Sequence, residues 1–146
     1  MGQDKLEAHA RRFLIPYIDI GMDVRVIEGE APRMAGQVIL SFPGKACMKC
    51  FGFLTDERLH AEASRYGDAG FRPQVVWPNG LLASAAVGIG MALATGWAEM
   101  RRVSPYLSYD GNAISLTQHR RLEYLDADTC PHYSIADAGK VRFKPL

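Results

Sequence analysis

Hydrophobic positions change their spacing along this chain, and the changes mark out its elements. Lys5 to Phe13 has helix-forming composition and ends before Ile15-Pro16, where the proline disfavours helix continuation. Tyr17 to Ile20 reads as a short buried strand. Val24 to Ile27 and Gln37 to Phe42 are β-rich runs separated by Gly29, Pro32 and Gly36, which predicts an antiparallel hairpin with a long connection. Pro43-Gly44 closes the second of these strands. Thr55 can cap a helix running to Tyr66, with Asp56 and Glu57 suited to the positive end of its dipole.

Gly67 to Asn79, carrying Gly67, Gly70, Pro73 and Pro78, reads as a surface loop. Gly80 to Met100 is apolar on nearly every face, the pattern of a helix buried between a sheet and another surface. The clearest hairpin runs from Tyr106–Tyr109 through Asp110-Gly111-Asn112 to Ala113–Leu116. From Asp126 onward the chain is irregular.

Composition narrows the picture. A chain of 146 residues is expected to form a single domain spanning 1–146, large enough to bury a core without staples. With 48% hydrophobic and 23% charged residues it has an ordinary globular balance. A net charge of +1 supplies no field to draw in nucleic acid or an anionic membrane. The first ten residues hold no apolar run of the signal-peptide kind. The longest apolar stretch, Leu81–Thr95, is interrupted only by Ser84 and two glycines and is roughly fifteen residues, short of the ~20 that a spanning helix needs. A cytoplasmic protein is expected, and its three cysteines do not form a secreted disulfide framework.

Cys47-Met48-Lys49-Cys50 is a metal knuckle, since a tight turn lets both thiolates face one ion. A second pair of ligands has to come from Cys130 and a neighbour, and the nearest usable side chain is His132. The set Cys47, Cys50, Cys130 and His132 is a Cys₃His donor group for structural zinc. The alternatives are three packed or solvent-facing thiols, or a redox C-x-x-C.

The order of these motifs resembles the C-terminal half of the ThiF/MoeB/HesA family, bacterial relatives of ubiquitin-activating enzymes. The elements that carry the resemblance are Ile15-Pro-Tyr-Ile-Asp-Ile-Gly-Met22, the strand Gly36–Leu40 leading to Pro43-Gly44, then Cys47-x-x-Cys50. Asn79–Gly88, at the start of the long helix, and the hairpin from Tyr106 follow. The match covers about Asp4 to Cys130. It implies an α/β fold, the C-terminal half of a ThiF-like Rossmann-type domain, with a mixed or antiparallel sheet and a long buried helix. It also implies an ATP-dependent adenylyltransferase acting on the C-terminal glycine carboxylate of a small ubiquitin-like or sulfur-carrier protein.

The resemblance also places limits. In the family the nucleotide-binding half carries a Gly-rich loop, an Arg, a Lys and a magnesium-binding Asp. No G-x-G-x-x-G or P-loop occurs here, so ATP and magnesium are expected only if that half is supplied. Asp4 is expected to be a helix-start acid and not a catalytic group. The crossover stretch Arg72–Asn79 has no cysteine, which argues against thioester chemistry. A second C-x-x-C usually completes the family's zinc site, and here Tyr133 stands three residues after Cys130. The resemblance puts carrier-binding groups in or beside the crossover loop, at Arg65, Arg72, Gln74 and Trp77, where a guanidinium or flat aromatic can grip a terminal peptide. The bland reading of these groups is solvated loop charges and a Trp77 that anchors the loop to the core.

Asp19 and Asp23 flank Gly21 and can be imagined as a carboxylate pair, but the simpler expectation is that Asp19 satisfies backbone donors at a turn. No Ser-His-Asp constellation is present, and the basic clusters are too small for a nucleic-acid face. A function of another class remains open: a non-enzymatic zinc-binding interaction module that uses the apolar helix as a homodimer or partner interface.

Overall fold

The computed structural model describes residues 2–57, 75–134, 136, 138 and 139. Helix α1 (Gly2–Arg12) precedes strands β1 (Tyr17–Arg25) and β2 (Arg33–Ser41). Helix α2 (Val76–Thr95) and the hairpin of β3 (Tyr106–Asp110) and β4 (Ser115–Gln118) follow. The class is α/β, and the four strands form one antiparallel sheet in the order β1-β2-β3-β4. Among the described residues no strands pair in parallel, so the sheet is of the antiparallel kind that the expected mixed or antiparallel sheet includes, and it does not by itself identify a Rossmann-type arrangement.

A first antiparallel hairpin is present, but not the expected one: β1 is one continuous strand through Gly21, Tyr17–Gly21 and not Val24–Ile27 pairs with Gln37–Ser41, and Val26 and Ile27 lie outside the strand. Tyr17 pairs with Ser41 and Arg25 with Arg33. Gly21 lies opposite Gln37, whose side chain occupies the space a Cβ would take, so the glycine marks a close approach within the strand. Asp19 is therefore in mid-strand. It is buried and accepts from Gln3 Nε2 at 2.8 Å and from the Tyr17 hydroxyl at 3.3 Å. Burial, reinforced by the Asp19 carboxylate, pushes Tyr17 up to about 12, which keeps the phenol a donor. Asp23 instead pairs with Arg25 at 3.1 Å, and the two aspartates form no common site.

Helix α1 stops where the backbone turns left-handed at Leu14 (φ 58°). Ile15 N–H donates back to the Ala10 carbonyl at 2.8 Å, and Pro16 prevents resumption of the helix. The second hairpin forms with β4 two residues later than the sequence pattern predicts. Asp110 Oδ1 accepts from the Asn112 and Ala113 amides, and Ile114 takes φ 51°, which lengthens the turn.

Strand β2 is central and buried on both faces, and successive residues serve different cores. Val38 and Leu40 pack with Leu82, Ile89 and Tyr109 beneath α2. Ile39 packs on the opposite face with Tyr106 and the segment from Ala46 to Leu54. The cysteine loop and α2 thus lie on opposite sides of the sheet.

Helix α2 begins at Val76, four residues before the expected Gly80, because Pro78 falls in its first turn, where a missing N–H costs nothing. It ends at Gly96 (φ 66°), whose amide donates to the Ala92 carbonyl, and the segment to Met100 is not part of it. At 20 residues it is longer than its apolar core indicates, and by length and apolarity alone it could cross a bilayer. It is also less buried than expected: Pro78, Leu82, Ile89 and Ala92 are enclosed, whereas Val76, Trp77, Val87 and Met91 are exposed. The predicted helix Thr55–Tyr66 and the loop from Gly67 lie largely outside the described residues.

One glycine sets how closely α2 approaches the sheet. A Cβ on Gly36 would lie 2.7 Å from Leu82 Cδ1 and 2.8 Å from the Gly21 carbonyl oxygen, and the latter is backbone. Gly36→Ala is expected to cost about 2 kcal/mol through overpacking, read as a lower urea midpoint with an unchanged denaturant slope.

Candidate metal centre

The knuckle is shaped by backbone hydrogen bonds that its short sequence can make. Phe51 N–H donates to the Cys47 carbonyl at 3.0 Å, Gly52 N–H to Lys49 at 2.9 Å and Phe53 N–H to Met48 at 2.9 Å. Gly52 takes φ 63°, so the chain can fold back over the cysteines. Phe51, Phe53 and Leu54 then anchor the loop in the core with Ile39 and Tyr106. The tail is stitched to it by the Ala46 amide, which donates to the Ala127 carbonyl at 2.9 Å.

Those bonds bring the four sequence-predicted ligands together. Cys47, Cys50, Cys130 and His132 present ligand atoms that all lie within 4.8 Å of one another. Cys47 Sγ is 3.6 Å from Cys50 Sγ, which is 3.8 Å from Cys130 Sγ. His132 Nδ1 lies 3.5 Å from Cys47 Sγ and 3.3 Å from Cys50 Sγ. Two thiolates at about 2.3 Å from a tetrahedral zinc stand about 3.8 Å apart, and a thiolate and an imidazole nitrogen about 3.6 Å. These four separations lie close to the edges of such a tetrahedron, the other two are no longer than 4.8 Å, and the cluster can hold a metal ion such as zinc. No pair of sulfurs is near the ~2.05 Å of a disulfide, and all three cysteines are free.

The surroundings of Cys47 and Cys130 bear on how each would meet an ion. Burial pushes the Cys47 thiol well above its ordinary value, so by itself it stays neutral. Burial acts on Cys130 in the same sense. It is outweighed by the His132 and Tyr133 amides and by the Cys47 and Cys50 thiols, which donate to the Cys130 sulfur and move it down overall. A divalent ion would complete what these donors begin, displacing the proton from the buried Cys47.

Two further residues support the centre and carry no signal in the linear sequence. Glu7 on α1 is fully buried, and its Oε1 accepts from the Met48 amide inside the knuckle at 2.8 Å. Tyr133 O–H reaches Glu7 Oε2 at 3.4 Å, so the residue after His132 is tied to the same carboxylate. Burial, with the Glu7 carboxylate added, pushes that phenol far above its usual range. One turn further along α1, the buried Arg11 donates through Nη1 to Ser41 Oγ and the Phe42 carbonyl, both at 2.9 Å. Its Nη2 donates to the Lys45 carbonyl at 2.7 Å, and the guanidinium lies 5.0 Å from the Tyr133 ring centre. One face of α1 therefore holds the end of β2, the start of the knuckle and the tail. Tyr133, where a fourth cysteine would complete a second C-x-x-C, is a clamp in this chain, and His132 faces the sulfurs instead.

The remaining sequence-predicted positions are elsewhere. Asp4 sits in the first turn of α1 and pairs with Lys49 at 3.2 Å. Trp77 is in the first turn of α2, not in a loop, and is 60% exposed, so it does not anchor the segment to the core. It lies across the sheet from the cysteines. Arg65, Arg72 and Gln74 lie outside the described residues. Comparisons of the chain with protein-family models, curated proteins and solved structures found no match.

Proposed function

We propose that this chain is the carrier-facing half of a ThiF/MoeB/HesA-type adenylyltransferase domain, built around a structural zinc held by Cys47, Cys50, Cys130 and His132. The observation that carries the reading is the closure of the donor tetrahedron between the loop after β2 and the tail. The family's two knuckles stand in this chain order. With all four positions supplied by the protein, the ion has no open site for substrate, and its work is to pin the tail to the sheet. The sheet would then be the antiparallel extension of a Rossmann-type unit, in a cytoplasmic setting where the thiols stay reduced.

In this reading the partner is a ubiquitin-like or sulfur-carrier protein whose C-terminal glycine tail is received beside Arg72, Gln74 and Trp77. The adenylation step needs ATP, magnesium and the phosphate-binding groups of the nucleotide-binding half, and none of those motifs occurs in these residues. The 146-residue chain with a glycine-tailed carrier should show no ATP–pyrophosphate exchange. Exchange should appear when a polypeptide bearing the Gly-rich half is added. Exchange by the chain alone would overturn the reading.

A second reading is favoured by the exposed apolar side of α2: a non-enzymatic zinc-binding interaction module. It predicts no exchange even with the nucleotide-binding half present.

A further inference from the structure

Arg11 brings a positive charge into the interior, and its hydrogen-bond acceptors there are all neutral: Ser41 Oγ and the Phe42 and Lys45 carbonyls. These three bonds use three of the five guanidinium N–H groups and leave one on Nη2 and one on Nε. Nε is buried and makes no hydrogen bond. Among the described residues no carboxylate forms an ion pair with Arg11. Glu7, four residues earlier, is engaged with the Met48 amide and the Tyr133 hydroxyl. A buried charge without a counter-ion is costly, so an anion has a place beside it.

The guanidinium borders a cleft of about 250 Å³ that could hold one. Arg12, His132 and Ser134 also line the cleft, Ala8 and Leu14 add apolar wall, and none of the described lining residues is acidic. His132 turns Nδ1 to the sulfurs. With Nδ1 accepting from a thiol or held by an ion, the neutral ring carries its proton on Nε2 and is a donor there. Among the described residues no protein group accepts from that nitrogen.

We infer that this cleft binds a small organic anion, a carboxylate or phosphate head on an apolar body, with the head held by Arg11 and His132. Guanidinium suits either head, because its N–H groups match paired oxygens. The apolar wall favours an organic anion over a bare ion. The volume is that of roughly eight waters, below the ~300–1,000 Å³ of sites for drug-sized ligands, so the occupant is of small-metabolite size. The cleft needs only the ring edge of His132 that is turned away from the sulfurs, so the inference holds whichever function the metal centre serves.

The test is proton–nitrogen correlation NMR of the purified chain titrated with benzoate and with phenyl phosphate. Benzamide serves as the neutral isostere and inorganic phosphate as the bare head. At least one of the two organic anions should saturate in the millimolar range, shift the Arg11 Nε–H signal, and move the Ala8, Gly44 and Ser134 amides. The tighter of the two identifies the preferred head. Benzamide and inorganic phosphate should each bind about tenfold more weakly or worse, for want of the charge and of the apolar body.

Two sets of variants separate binding from folding. Leu14 is exposed at the rim with φ 58°, a conformation that Asn and Asp adopt more readily than Leu. Leu14→Asp and Leu14→Asn should both keep the wild-type circular dichroism, and the aspartate should bind the anion about tenfold more weakly than the asparagine. Ala8→Leu, which fills the cleft from the helix side, should weaken binding with the fold intact. Failure of both organic anions to saturate would overturn the inference. So would equal binding of benzamide, an Arg11 Nε–H signal unmoved at saturation, or equal affinity in the two Leu14 variants.

Discussion

Stripping the metal with a chelator should lower the melting temperature of the chain by about 10–15 °C and release the tail from the cysteine loop. An ion present at a thousandfold excess over its dissociation constant contributes ~4 kcal/mol. In a domain of this size each kcal/mol moves the midpoint by about 2–4 °C. The loss should be uneven. Val38, Leu40, Leu82, Ile89 and Tyr109 form a core on the α2 side that contains no ligand, and their order should survive. The opposite core includes Cys47 and Cys50 themselves, with Cys130 and Tyr133 packed against it, and should loosen. Hydrogen exchange should therefore speed up at the Ala46 and Phe51 amides but not at Val38. Cys50→Ser should reproduce the effect, because Cys50 is the ligand adjacent to both Cys130 and His132. Uniform loss of protection in both cores would show that the ion is not a local tie.

Glu7→Ala should be the most damaging single substitution on α1, at about 3 kcal/mol. The carboxylate is fully buried and accepts the Met48 amide, so its removal strands a buried donor inside the knuckle and releases Tyr133. Glu7→Gln keeps an acceptor for Met48 and should cost about 1 kcal/mol. The two variants also differ from a generic core defect in a second readout. Tyr133 is held high by burial first and by the Glu7 charge next, so Glu7→Gln should let the phenol ionise at lower pH, followed by its ultraviolet absorbance. Equal stability loss in both variants would mean that Glu7 acts by filling space and not by holding the Met48 amide.

The elements most legible in the sequence were those with a local cause. The β-rich run Gln37–Phe42 and the Asp110-Gly111-Asn112 turn are read directly from side-chain chemistry; the run falls in β2 up to Ser41 and the turn joins β3 to β4. The four metal-site residues were legible because thiols and imidazole have few other reasons to recur in such order. Gly21 and Pro78 misled for a shared reason: each usually breaks an element, yet each sits where its element tolerates or requires it. Gly21 makes room for Gln37, and Pro78 occupies a first turn. Glu7 and Arg11 were invisible because a Glu–Arg pair four residues apart reads as an exposed helix pair. Only the tertiary fold turns that face inward. The exposure of α2 was also hidden, since an apolar sequence reports that a helix needs covering but not by what.

The most direct test is zinc K-edge X-ray absorption on the purified chain, with metal content measured on the same sample. The account predicts about one zinc per chain, with three sulfur neighbours near 2.3 Å and one nitrogen near 2.0 Å. Cys130→Ala should lose one sulfur from that shell. A chain that retains no zinc, or a shell of oxygen and nitrogen without sulfur, would contradict it.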